Sequence, residues 1–320
     1  MLIRFVTLLL LFFCCSPAAW AQRQYRVDDF SKAYFGKIYL ADTAEVFSPG
    51  WVAIYDKKTR KQVLKVTSDE LALFTHNGKA ESNVLELPYG EQSLIISNDF
   101  NFDGRLDLAL QDGQNSCYHG PSFQVYLGTA TGFVPSPAFT ALAQEYCGMF
   151  STDAKAKRLS VMTKSGCCWH EWSEFIVRNN KPFLVRRVTD QMTQYPFSEH
   201  SEEVWNGSRY VVTANTRQII LDSPDIRIIC SFQVADSDKQ VMLFTTDDTR
   251  LYYALLRKDD TVEFVFPGLD VDPTEVPFAL RRTGPDVSLE FFNGPAAYVI
   301  SETAAGTMTV TARSGAKTAC

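Results

Sequence analysis

Hydrophobic and polar positions alternate with a period of two along much of the chain, as in Val63-Leu64-Lys65-Val66, Phe123-Gln124-Val125-Tyr126-Leu127, Phe175-Ile176-Val177 and Val262-Glu263-Phe264-Val265-Phe266. Successive side chains of an extended strand point to opposite faces, so β-branched and aromatic residues in this rhythm predict short strands with one buried face. Turn formers punctuate them at Asn179-Asn180-Lys181-Pro182, Asn206-Gly207-Ser208, Asn293-Gly294-Pro295 and Ser314-Gly315. The predicted fold class is therefore all-β. Helix is expected only at Ala138–Tyr146, where Ala and Leu are favourable, and weakly around Ser68–Phe74. No unit of about 20 to 50 residues recurs cleanly, which argues against a full propeller or solenoid.

The first residues break this rhythm. Arg4 precedes an apolar block, Phe5–Phe13, and Pro17-Ala18-Ala19-Trp20-Ala21-Gln22 offers an Ala-x-Ala cleavage site after Ala21. Residues 1–21 read as an export signal, and the mature protein as periplasmic. The apolar block is shorter than the roughly 18 residues of a spanning helix. Cys14 and Cys15 raise a lipid anchor as an alternative, but Leu11-Phe12-Phe13 lacks the small residues such a site needs. The 320 residues exceed what one core usually serves. A polar Pro-containing stretch, Leu221-Asp222-Ser223-Pro224-Asp225, predicts a boundary between a β-sandwich domain over 22–222 and a smaller β-barrel or sandwich over 223–320.

Composition adds two constraints. The formal charge of −6 becomes one unit more negative without Arg4, which argues against nucleic acid as a partner. Export would also remove two of the eight cysteines. It leaves Cys117, Cys147, Cys167, Cys168, Cys230 and Cys320, an even set expected to form disulfides in an oxidising compartment. Six cysteines allow 15 pairings. A Cys230–Cys320 bond would tie the start of the second block to its end, and the other four would then pair among themselves, an adjacent Cys167–Cys168 bond being possible but strained.

The most specific local motif is Asp99-Phe100-Asn101-Phe102-Asp103-Gly104-Arg105-Leu106-Asp107. Oxygen ligands at alternate positions suit a hard cation such as calcium, and Gly104 permits the turn that returns Asp107 to it. In this scheme Asp99, Asn101, Asp103 and Asp107 contribute side-chain oxygens and Arg105 its backbone carbonyl. The flanks alternate as strands and position twelve is Leu110, so the loop is not an EF-hand and is expected to cap a β-hairpin. The motif resembles the calcium loops of FG-GAP or VCBS-type blades. A solvated Asn/Asp/Gly turn without an ion is the competing reading.

Between the strands Arg158–Thr163 and Trp172–Val177 lies Lys164-Ser165-Gly166-Cys167-Cys168-Trp169-His170-Glu171. A cysteine nucleophile based on His170 needs a free thiolate, which an oxidising compartment and a neighbouring Cys both oppose. A zinc site lacks further ligands, since His76, His119 and His200 have no ligand spacing to it. The remaining readings are a stiff, disulfide-held loop whose Trp169 and His170 contact a partner, or a half-buried Trp on a braced turn. The pairs Asp247-Asp248 and Asp270-Val271-Asp272 read as solvated turns rather than acid/base pairs.

Taken together, the signal segment, the Asp99–Asp107 loop, Gly120-Pro121-Ser122-Phe123-Gln124-Val125-Tyr126-Leu127, Lys164-Ser165-Gly166 with its aromatic-His pair, and the Pro182–Arg187 strand resemble a bacterial periplasmic family. Its members include immunity proteins that neutralise a peptidoglycan-hydrolase effector of a bacteria-killing type IV secretion system. That family is similar to the periplasmic inhibitors of i-type lysozyme, β-sandwiches whose Ser-Gly-x-x-Tyr loop enters the lysozyme cleft. The resemblance covers roughly residues 85–215 and places Trp169 in the Tyr position; the Cys pair is a departure from the pattern. It implies that Ser165, Gly166, Trp169, His170 and Glu171 contact a lysozyme-like peptidoglycan hydrolase, with no catalysis by the chain itself. Phe291-Phe292-Asn293-Gly294 and Cys320 resemble, more weakly, small periplasmic β-barrel inhibitors of c-type lysozyme. An envelope glycan- or protein-binding module and a wall-glycan hydrolase are the rival expectations.

Overall fold

The computed structural model describes residues 24–268 and 278–314. It is almost entirely antiparallel sheet, and each sheet is built from strands consecutive in the chain. The first sheet holds β1 (Gln24–Val27), β2 (Tyr34–Leu40), β3 (Ser48–Asp56) and β4 (Gln62–Leu71). The second holds β5 (Ile95–Asn98), β6 (Asp107–Ser116), β7 (Gly120–Thr129) and β8 (Gly132–Pro135). Six strands form the third: β9 (Ser151–Asp153), β10 (Arg158–Ser165), β11 (Trp169–Arg178), β12 (Lys181–Gln194), β13 (Phe197–Trp205) and β14 (Tyr210–Ile219). The fourth contains β15 (Ile226–Gln233), β16 (Gln240–Thr246), β17 (Arg250–Leu256) and β18 (Val262–Phe266). The fifth contains β19 (Ala279–Thr283), β20 (Asp286–Asn293), β21 (Ala296–Glu302) and β22 (Met308–Ser314).

The chain divides into two compact units. The first comprises the described residues up to Thr163 together with Glu174–Leu184; the second comprises Lys164–Ser173 and the described residues from Val185 onward. Alternation lets one sheet in each unit serve two cores. In the first unit Ile95, Leu108 and Leu110 pack with Val27, Ile38, Val52 and Ile54. Their neighbours Ile96 and Ala109 enter the opposite core with Phe123, Phe139, Phe150 and Leu159. In the second unit Met242 and Phe244 join Phe197, Ile219 and Tyr252, while Val241 and Leu243 join Tyr253, Phe291 and Ile300. A strand buried on both faces loses its polar positions, and β16 accordingly reads Gln-Val-Met-Leu-Phe-Thr-Thr.

The Leu221–Asp225 stretch joins β14 to β15 inside the second unit. Ile219 and Ile226 on either side of it share one core, so the stretch does not separate two cores. Among the described residues there is no closed barrel: the last two sheets are open and pack on each other through the core of Tyr253 and Phe291. The helix expected at Ala138–Tyr146 is shorter, α1 (Pro137–Leu142), opened by Pro137 and anchored by Phe139 and Leu142. The segment expected to be weakly helical from Ser68 is instead the end of β4, where Ser68 pairs with Gly50 and Leu71 with Ser48. Tertiary pairing overrides its modest helical preference.

The turns follow the sequence signals. Asn179 and Asn180, with φ of 51° and 55°, supply the two left-handed residues that a tight hairpin between β11 and β12 requires. Asp247 and Asp248 do the same between β16 and β17 with φ of 54° each, and Asp248 pairs with Arg227 at 2.6 Å. The Asp270–Asp272 pair, Gly315, Cys320 and residues 1–21, expected to be an export signal, lie outside the described residues.

Candidate functional site: an acidic hairpin loop, a disulfide-closed tip and two concavities

The Asp99–Asp107 loop caps the β5–β6 hairpin, with Asn98 paired to Asp107. Its acids organise the backbone. Asp99 accepts the amides of Asp103 and Gly104 at 2.9 and 2.8 Å, Asn101 Oδ1 that of Asp103, and Asp103 Oδ1 that of Arg105. Arg105 also turns its guanidinium to Asp103 Oδ2 at 3.0 Å. Gly104 has φ of 84°, the left-handed conformation that glycine adopts without strain. Asp107 is fully buried and accepts Phe100 and Gly128 amides at 2.8 and 2.7 Å and Asn101 more distantly. Burial pushes its carboxyl up to about 6, against those three amide bonds, which favour the carboxylate.

The donor set has the chemistry of a calcium loop. Each carboxylate or carboxamide oxygen carries two lone pairs, and the single amide on each of Asp99 Oδ1, Asp99 Oδ2, Asn101 Oδ1 and Asp103 Oδ1 leaves one free. Among the described residues, however, no three His, Cys, Asp or Glu side chains are gathered in metal-binding proximity. The loop closes on its own amides.

The second site is the β10–β11 hairpin. β10 ends at Ser165, Gly166-Cys167-Cys168 make the turn, and β11 begins at Trp169. Ser165, Gly166 and Cys167 are exposed. Cys167 and Cys168 are bonded to each other, and the Met192 amide donates to the Cys168 carbonyl at 2.7 Å, fastening the tip to β12. Strand alternation separates the expected contact residues. His170 shares a face with Trp172, their rings stacked at 5.9 Å, whereas Trp169 lies on the face of Glu171. Glu171 is committed within the sheet: Ser173 donates to it at 3.0 Å and Arg187 pairs with it at 3.2 Å. The hairpin thus presents Ser165 and Gly166 at its end, with Trp169 and His170 half-buried on opposite sides.

The other expected disulfide residues resolve in part. Cys117 bonds Cys147, and Cys230 has no disulfide partner among the described residues.

Two concavities were not foreseen. One, of about 350 Å³ in the second unit, has Cys168, His170, Asp190, Ser198, Glu199, His200, Thr216 and Gln218 in its lining. The register sets Asp190 opposite His200 and His200 opposite Thr216, so the three form one cross-strand row. His200 Nδ1 meets Asp190 Oδ1 at 2.6 Å. The other, of about 330 Å³ in the first unit, is an aromatic groove walled by Phe47, Phe74, Tyr89 and Tyr118. Tyr118, 60% exposed, and His119 hold φ of 53° and 59° beside the Cys117–Cys147 bond. Non-glycine residues rarely adopt this conformation, and strain of this kind is retained where the surroundings enforce it. The first draws its residues from the consecutive strands β11–β14 by register and the second from segments far apart in sequence, so no local motif announces either.

The fold and the hairpin define the class: an all-β, disulfide-bonded protein of consecutive antiparallel sheets with a fixed, exposed tip. No protein-family model matches the chain, and no curated protein does. Solved structures similar to it include a Xanthomonas type IV secretion system related protein, 18% identical over 61% of this chain and 95% of that one, with a TM-score of 0.46. The periplasmic gluconolactonase of Pseudomonas aeruginosa is 10% identical over 92% of this chain and 85% of that one, with a TM-score of 0.23. A 6-phosphogluconolactonase-like protein of Bacteroides uniformis is 9% identical over 91% and 85%, with a TM-score of 0.24. No functional assignment rests on likenesses of this size.

Proposed function

We propose that the chain is an exported immunity-type binding protein that blocks a lysozyme-like peptidoglycan hydrolase by inserting the β10–β11 tip into its cleft. The observation that carries this reading is the construction of the tip: exposed at Ser165 and Gly166, closed by the Cys167–Cys168 bond and fastened at 2.7 Å by the Met192 amide. A segment already held in one conformation loses little entropy on binding, which is what an inhibitory loop requires. Ser165 offers a hydroxyl to a catalytic carboxylate, Trp169 covers a sugar subsite and His170 pairs with an acid; Glu171 holds the hairpin through Arg187. The acidic net charge favours encounter with a basic wall-binding enzyme. Calcium at Asp99, Asn101, Asp103, Arg105 and Asp107 serves the β5–β6 hairpin as a structural ion.

Substitution at the tip tests this. Ser165→Trp, at an exposed position, is expected to leave the melting temperature unchanged while weakening inhibition of the hydrolase by about a hundredfold, the effect of obstructing an interface centre. Trp169→Ala is expected to weaken inhibition similarly. Full inhibition by Ser165→Trp would remove the tip from the interface.

A further inference from the structure

We infer that the polar cavity over β12–β14 is a binding site for a neutral pyranose sugar. The β13 and β14 residues Phe197 and Ile219 point into the core, so Ser198, His200, Thr216 and Gln218, one position out of phase, share the outward face. Among the described residues the side chains of Ser198, Thr216 and Gln218 have no hydrogen-bond partner within the protein. Each both donates and accepts, which is what a ring of hydroxyl groups needs. His200 Nδ1 is engaged by Asp190 at 2.6 Å, which leaves the Nε2 edge of the ring for a ligand hydroxyl.

Charge narrows the ligand class. No Lys or Arg lines the cavity, so an anion finds no counter-charge. Its carboxylates are already matched: Asp190 by His200, and Glu199 by Arg217, with Gln191 donating to Glu199 at 2.6 Å. Only Asp190 lacks a charged partner, and a single carboxylate is far short of the roughly six to eight oxygens a hard cation gathers. An uncharged polyhydroxylated molecule is the class that fits. His170 lines the cavity with its ring stacked on Trp172 at 5.9 Å, and offers a flat surface to the C–H face of a sugar ring. The volume, about 350 Å³, lies at the small end of ligand pockets and suits one or two rings.

His170 belongs to both this cavity and the proposed interface, whereas Ser198, Thr216 and Gln218 lie outside the tip, so substitutions at these three separate sugar binding from hydrolase inhibition. The test is titration of the full chain, after signal removal, with chitotriose and separately with methyl β-glucopyranoside, followed by tryptophan fluorescence and amide chemical shifts. Saturable binding of either sugar with millimolar affinity is expected, with shifts centred on Thr216, Gln218 and His170. The double variant Thr216→Val/Gln218→Leu is expected to weaken it by about tenfold or more, since two hydrogen bonds are lost. Gln218→Leu alone, at an exposed position, gives a second reading if the double variant loses its fold. Absence of saturable change at about 50 mM of both sugars, far above a millimolar dissociation constant, would overturn the inference. So would unchanged affinity in the variants, or shifts centred on Tyr118 in the aromatic groove.

Discussion

Gly128 and Glu199 show how single positions hold the sites in place. A Cβ at Gly128 would sit 2.3 Å from the Leu106 carbonyl oxygen, and the Gly128 amide is one of the three that hold Asp107. Gly128→Ala is therefore expected to destabilise the protein by about 1–3 kcal/mol, the usual cost of forcing atoms into packed space, as read by chemical denaturation. This role was not legible: Leu127-Gly128-Thr129 reads as an ordinary strand end, and only β7 lying against the acidic loop makes a side chain impossible there. At Glu199, burial pushes the carboxyl up, but the hydrogen bonds from Arg217 and Gln191 and the Arg217 charge outweigh it and hold the group below the usual carboxylate range. A depressed folded value means that this stabilisation is present above the unfolded value of about 4.5 and is lost as pH falls through the folded one. Stability measured downward from pH 6 should thus decline less steeply in Glu199→Gln than in the parent protein. An unchanged slope would show that Glu199 contributes nothing to acid sensitivity.

At the scale of elements, the acidic loop and the hairpin tip were the two legible features, because each is encoded in one continuous run of residues. The β5–β6 hairpin forms as the alternation on both sides of Asp99–Asp107 implies, and the β10–β11 hairpin turns at Gly166-Cys167-Cys168. What the motif did not convey is that the side-chain oxygens also accept the loop's own amides. The calcium proposal remains measurable. Extracellular sites of this kind bind at about 10⁻⁴ to 10⁻³ M, so about 10 mM calcium should stabilise the parent by roughly 1.4 kcal/mol or more relative to chelator. Asp103→Asn, at an exposed position, should lessen that gain, and an identical melting temperature in calcium and in chelator would contradict calcium binding.

For the whole molecule, the all-β class followed directly from period two, whereas the division into units did not. A polar stretch with a proline at Leu221–Asp225 looks like a linker, but Ile219 and Ile226 enter one core across it. The division instead runs through residues of β10, β11 and β12, strands whose alternation continues without a break in composition. The concavities were illegible for a related reason. Asp190, His200 and Thr216 are aligned by strand register, and Phe47, Phe74, Tyr89 and Tyr118 by folding of segments far apart, so neither set has a spacing to read.

The β10–β11 tip is proposed to enter and block a peptidoglycan-cleaving enzyme. The most direct test is the clearing of purified peptidoglycan by lysozyme-type hydrolases, including type IV secretion effectors, titrated with the protein. Inhibition of one such enzyme is expected to saturate at one molecule per enzyme and to be lost with Ser165→Trp. Undiminished clearing by every hydrolase in molar excess of the protein, or clearing by the protein alone, would contradict it.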